Sequence, residues 1–136
     1  MFIYYIYKIE QNILMIMTQE DKELLLRDLC ARLPYGVKVN NEIQGNFVIY
    51  GVCENYIFAR TTTSHADFRV EDIKPYLRPM SSMTEEEKSQ YNFYLTRIVF
   101  AYDASLLIDW LNKNYFDYRG LIEKGLAIDA TGLNVY

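Results

Sequence analysis

The segment Leu33-Pro34-Tyr35-Gly36-Val37 separates two hydrophobic periods that no single element can satisfy, and this switch constrains the fold more than any other feature. Before it, Leu25, Leu26, Leu29, Cys30 and Leu33 recur at the spacing of one helix face. After it, Val37 and Val39 alternate with Lys38 and Asn40, and apolar residues dominate Phe47 to Cys53 and Tyr56 to Thr62. Pro34 cannot continue a helix and Gly36 suits a helix stop, so an amphipathic helix gives way to strands here. Thr18 is the natural N-cap of that helix, with Glu20 and Asp21 in the first turn, where carboxylates favour the helix dipole.

Turn chemistry at Asn40-Asn41, Gln44-Gly45-Asn46 and Glu54-Asn55 predicts a three-strand antiparallel meander, with Phe68 to Val70 as a short fourth strand. Pro75 and Pro79 close this segment, since neither donates to a ladder. The rest reads as helical. Thr84 and Glu87 form a capping box, after which Tyr91, Tyr94, Leu95, Ile98 and Tyr102 lie on one face. Asp103 caps a second helix in which Leu106, Leu107, Trp110, Leu111 and Asn114 share a side, with Trp110 anchoring it to the sheet. Asp117 caps a last short helix through Lys124, ended by Gly125, and Leu126 to Tyr136 forms a tail or a final edge strand. The predicted fold is α+β: an N-terminal helix, a small antiparallel meander or barrel of 3–5 strands, then two to three C-terminal helices. Residues 17–136 form one domain, with helix and meander in 17–79 and a helical half in 80–136.

The opening MFIYYIYKIEQNILMI fits none of the usual N-terminal signals. Glu10, Gln11 and Asn12 interrupt both a signal-peptide core and the run of about 20 apolar residues that a membrane span needs. Residues 1–16 lack Gly, Ala, Pro and Arg and draw on residue types that AT-rich codons specify. We therefore expect a non-native upstream extension or an appended segment, with Met17 as the start; the alternative is an edge strand over Phe2 to Ile9, which its β-branched and aromatic residues suit.

The formal charge of −4 comes from 14 basic against 18 acidic residues, with the basic ones scattered, which disfavours a nucleic-acid partner. Cys30 and Cys53 have neither metal-site spacing nor the pattern of a disulfide scaffold, and their apolar surroundings predict two buried free thiols in a cytoplasmic protein. No cofactor, membrane or metal site is expected.

No residue set specifies a chemistry. No nucleophile elbow, P-loop, dinucleotide fingerprint, zinc-protease helix motif or EF-hand loop occurs. His65 is the single histidine, and a general base beside Ser64 or Asp67 is the enzyme reading. Three neighbours in one loop rarely reach triad geometry, so no catalytic residue is assigned. Glu85, Glu86 and Glu87 fit helix-dipole complementation. Tyr50, Tyr56 and Phe58 on a small sheet could stack bases, as single-strand binders do. The densest aromatic group of the C-terminal half, Tyr115, Phe116, Tyr118 and Arg119 beside Trp110, is the candidate interaction surface, with core packing as its alternative role.

Three segments carry a resemblance: LCARLPYGV at 29–37, DIKPYLRPMSSMTEEE at 72–87, and DWLN at 109–112 with FDYRGLIEKGLA at 116–127. They are similar to a family of small uncharacterised proteins common in gut Bacteroidales and their phages or other mobile elements. The resemblance covers most of the chain from Met17 onward. It implies a bacterial or phage cytoplasmic context and, since that family has no assigned activity, no reaction and no catalytic residue. The resulting expectation is a non-enzymatic interaction module with an unknown host or phage protein as partner. A single-stranded nucleic acid or nucleotide binder using the sheet is the alternative, ahead of an enzyme with a cleft near His65.

Overall fold

The computed structural model describes residues 1–3 and 17–136. The readings given above for residues 4–16 lie outside the described residues.

Thr18 caps the first described helix, α1 (Gln19–Arg32), by accepting from the Asp21 amide at 3.1 Å. A 3-10 turn over Leu33–Tyr35 follows, and Gly36 adopts the left-handed backbone, φ 69°, that redirects the chain. Four strands then form a meander: β1 (Lys38–Asn41), β2 (Gly45–Cys53), β3 (Tyr56–Arg60) and β4 (His65–Arg69). All three successive pairings are antiparallel. Val37, Val39, Phe47, Ile49, Ile57, Ala59 and Phe68 turn inward and meet Leu25 and Leu29 of α1 in the main core.

The fold class is α+β as the sequence predicts, but the sheet is larger. A fifth strand, β5 (Lys74–Leu77), pairs antiparallel with β1 through Val39↔Pro75 and Asn40↔Lys74. Pro75 therefore sits inside a strand instead of closing the segment. It lies near the strand start, and the neighbour on its other side pairs only from Tyr76 onward, so its missing N–H leaves no ladder position empty.

The capping box forms as expected: the Thr84 hydroxyl accepts from the Glu87 amide at 3.1 Å and Glu87 Oε1 accepts from the Thr84 amide at 3.0 Å. It opens α2 (Glu85–Ala101), which is followed by α3 (Ser105–Lys113). Asp103 serves the start of α3 by accepting from the Ser105 amide, and these backbone and side-chain hydrogen bonds hold its carboxyl below the usual range. Tyr91, Tyr94 and Ile98 of α2 pack with Leu107, Trp110 and Leu111 of α3 around Met83 and the fully buried Phe116, making a second cluster. Trp110 stacks on Phe116 at 5.5 Å and lies 6.0 Å from Tyr94, so it ties the two helices together and does not anchor α3 to the sheet. Leu95, Tyr102 and Leu106, predicted inside, are exposed.

Beyond α3 the expected third helix is replaced by turns. Asp117 still caps this segment, its two carboxylate oxygens each accepting a hydrogen bond, from the Leu121 and Ile122 amides. Leu121, Leu126 and Ala127 enter the main core, and β6 (Ile128–Asp129) pairs parallel with β5, giving the sheet order β4-β3-β2-β1-β5-β6. The C-terminal half is thus two helices plus a return segment that completes the sheet.

Candidate functional site

Asp28 and Arg32 lie on the same face of α1 as Leu25 and Leu29, four residues apart, and both are fully buried. Arg32 donates to Asp28 through Nε at 2.8 Å and Nη2 at 3.0 Å, and Nη2 also donates to the Phe116 carbonyl at 2.7 Å. Arg119 donates to Asp28 Oδ1 at 2.9 Å and to the Tyr118 hydroxyl at 2.7 Å, and that hydroxyl in turn donates to Asn112. Arg32 Nη1 is buried with no hydrogen-bond partner, and its guanidinium carbon sits 5.4 Å from the Tyr118 ring centroid.

The aromatic group predicted as an interaction surface is brought together around this ion pair. Phe116 is fully buried, so it serves the core role and presents no surface. Tyr115 donates its hydroxyl to the Tyr35 carbonyl and stacks on Tyr136 at 3.6 Å, and burial raises its pKa. Tyr118 and Arg119 are half-buried and spend their polar atoms on Asn112 and Asp28. These four residues mainly lock the C-terminal return onto α1. The arrangement is structural in chemistry: every charged group here is paired within the chain.

The other sequence candidates separate. His65 opens β4 on the exposed side, with its ring edge-on to Tyr50 at 5.7 Å, while the Ser64 hydroxyl is engaged with Thr61 Oγ1 at 2.8 Å, so no triad forms. Glu87 pairs with Arg78 through two hydrogen bonds, at 2.7 and 2.8 Å, which hold its carboxyl down to about 2. Cys30 and Cys53 are free as expected, but both are exposed, not buried: Cys30 turns away from the face that carries Leu25 and Leu29, and Cys53 ends β2. Among the described residues no group of three His, Cys, Asp or Glu could hold a metal ion, and no helix is long and apolar enough to cross a membrane. Tyr50 and Tyr56 are exposed and Phe58 is half-buried on the sheet surface opposite α1.

The feature that sequence reasoning missed is the outward side of α2. Phe93 and Phe100, seven residues apart, share a face that is 52% and 81% exposed, and beside them Val99 is 71% and Tyr102 94% exposed. Leu106 in the first turn of α3 is also exposed, and the Arg97 guanidinium lies over the Phe93 ring at 5.6 Å. The signal was present: in FYLTRIVFAY at 93–102 only Thr96 and Arg97 interrupt the apolar and aromatic residues, which spread over more than one side, and one helix can bury only one side against a single neighbour.

Comparison with known proteins finds no matching family model, no similar curated protein and no similar solved structure.

Proposed function

We propose that this chain is a non-enzymatic protein-interaction module of a phage or mobile element, acting in the cytoplasm, and that a partner protein docks on the outward side of α2 and the first turn of α3. The observation that carries this reading is the exposure of Phe93, Val99, Phe100 and Tyr102 along the second half of one helix and its C-cap. Exposed apolar side chains grouped on one element, here with Thr96 and Arg97 between Phe93 and Phe100, are characteristic of binding sites. Aromatic rings with an arginine over one of them match the composition of interface hot spots. The segments similar to the Bacteroidales and phage family support the mobile-element context, and two exposed free thiols suit a reducing compartment.

A photo-crosslinking amino acid placed at position 100, compared with one at the distant exposed Ile43, tests the site in a native host. A single protein captured from position 100 and not from position 43 is then purified. Its affinity should fall about 30-fold or more for Phe100→Asp, the scale of a hot-spot residue. Identical capture from both positions, or a partner indifferent to Phe100→Asp, would end the reading.

A further inference from the structure

We propose that the outer face of the sheet is a separate binding site, which stacks the unpaired bases of a single-stranded nucleic acid on Tyr50 and Phe58 while Arg60 and Arg69 meet its phosphates. This site does not depend on the α2 surface, since it is formed by the meander alone.

The backbone builds it. The β2–β3 ladder shifts register between Ile49 and Gly51, a bulge that supplies one extra residue, Tyr50, and turns its ring outward. Gly51 faces Phe58, whose Cδ2 lies 3.3 Å from where a Cβ on that glycine would stand. The Phe58 ring therefore spreads over bare backbone, with no β2 side chain between it and solvent at that register. The two ring centroids are 6.4 Å apart, His65 meets the Tyr50 ring edge-on, and the Arg60 guanidinium lies 5.5 Å from the Tyr50 centroid. At the far end of β3, Tyr56 stands directly opposite Arg69. The core side of these strands packs on α1, and among the described residues no helix packs on the outer side.

Charge selects the occupant. Arg60 and Arg69 form no ion pair among the described residues and stand at the two ends of the aromatic strip; Arg60 lies over the Tyr50 ring, from which a strand stacking there would draw it toward a phosphate. Asp67, opposite Phe58, is a carboxylate on the same strip and opposes a phosphate at its centre. The acidic balance of the whole chain sits largely elsewhere, on Glu20, Asp21 and Glu23 of α1 and Glu85, Glu86 and Glu87 of α2. Duplex binding depends on phosphate neutralisation and is poorly served here. Single-strand binding draws much of its energy from rings that stack on any base, with arginine assisting.

Fluorescence anisotropy with labelled oligothymidylate and oligouridylate, against a duplex of equal length, tests the site on the full chain. Both single strands, or one of them, should bind more tightly than duplex, and which one does assigns DNA, RNA or either. Tyr50→Ala and Phe58→Leu should each weaken binding about 5- to 100-fold. Arg60→Ala should flatten the slope of log affinity against log salt by about 0.7. Ile43→Ala and Phe100→Asp should change nothing, which separates this site from the α2 surface. Tyr50 is exposed, so its variant keeps the fold even if Phe58→Leu disturbs it. No single-strand binding, equal binding of duplex, or a Tyr50→Ala affinity equal to the parent's would overturn the proposal and leave the face to a protein partner.

Discussion

Asp28→Asn isolates the interaction on which the C-terminal return depends. The substitution keeps the shape of the side chain and removes its charge, leaving Arg32, at 0% exposure, as a buried cation with no counterion. Three hydrogen bonds change partner chemistry: two from Arg32 and one from Arg119. An asparagine oxygen in the Oδ1 place can still accept from Arg32 Nη2 and Arg119 Nη1, but its own N–H groups then face Arg32 Nε, which loses its acceptor. Arg32 then has neutral acceptors alone, the Phe116 carbonyl and the amide oxygen, with the Tyr118 ring beside it, and its Nη1 has no partner among the described residues even in the parent. Breaking a buried pair in this way costs about 3–5 kcal/mol, because an uncompensated charge stays inside. A domain of this size has about 5–15 kcal/mol in total, so the variant retains a fold but loses a large share of its stability. With a urea slope of about 1.5 kcal/mol/M, the midpoint should drop by about 2–3 M without a change in slope. The double variant Asp28→Leu with Arg32→Met should recover part of that loss, since two apolar groups leave no buried charge, although the Phe116 carbonyl and Arg119 lose a partner. A midpoint shift under 0.5 M for Asp28→Asn, or a double variant worse than the sum of its singles, would refute the claim that this ion pair is desolvated and closely coupled.

Glu87→Gln should cost about 1–2 kcal/mol at neutral pH by removing the charge-assisted contact with Arg78. Because the folded-state pKa is depressed from 4.5 to about 2, that contribution is complete above about 4.5 and lost as pH falls toward 2. Urea midpoints of parent and variant should therefore converge in acid, and a constant difference across pH would exclude the pairing. Tyr136→Phe removes a hydroxyl that accepts from the Lys38 amide and donates to the Tyr76 carbonyl, and should cost about 1 kcal/mol by thermal denaturation. Burial raises the pKa of the Tyr136 hydroxyl, so in an alkaline spectrophotometric titration Tyr136→Phe should remove a tyrosine that ionises above the usual tyrosine range. Both cysteines should react with a thiol reagent in the native state as fast as in urea, and protection of either would contradict their exposure.

The parts of the fold legible in the sequence are those that local rules determine. Thr18 and the Thr84–Glu87 box cap helices through atoms within three residues, and the meander follows from short turns between alternating runs. The misread parts depend on distant chain. Pro75 reads as a break until β1 and β6 are known to flank it, and β6 pairs parallel only after two intervening helices. Cys30 follows Leu29 in an apolar run, yet the buried stripe of α1 runs through Leu25, Asp28, Leu29 and Arg32, at i, i+3, i+4 and i+7. An opposite-charge pair four apart on that stripe was visible, but charged residues are ordinarily assigned outward, and only Phe116 and Arg119 closing over the pair make burial favourable. The same closure buries Phe116 of the predicted interaction cluster and leaves Tyr115, Tyr118 and Arg119 half-buried, because Phe116 lies against Trp110 and Tyr118 against the Arg32 guanidinium.

The placement of the apolar surface follows from how many faces each helix can bury. α1 has one stripe and one sheet to cover it, and α3 buries Leu107 and Leu111 with little apolar excess beyond Leu106. α2 differs: none of residues 85–100 is buried, and the three that pack inward, Tyr91, Tyr94 and Ile98, are only half covered. Its stability within the chain rests on the capping box and this partial packing, a small share of what its apolar content could supply. Burying Phe93, Val99 and Phe100 fully against a partner would add about 1.5–3 kcal/mol each. Within the chain Phe93 meets Tyr94 edge-on at 5.7 Å and lies under the Arg97 guanidinium, while Val99 and Phe100 keep most of their surface in solvent. Val99 at 71% and Phe100 at 81% exposure leave most of their apolar area unused within the chain, and that area is what the docking proposed above would draw on.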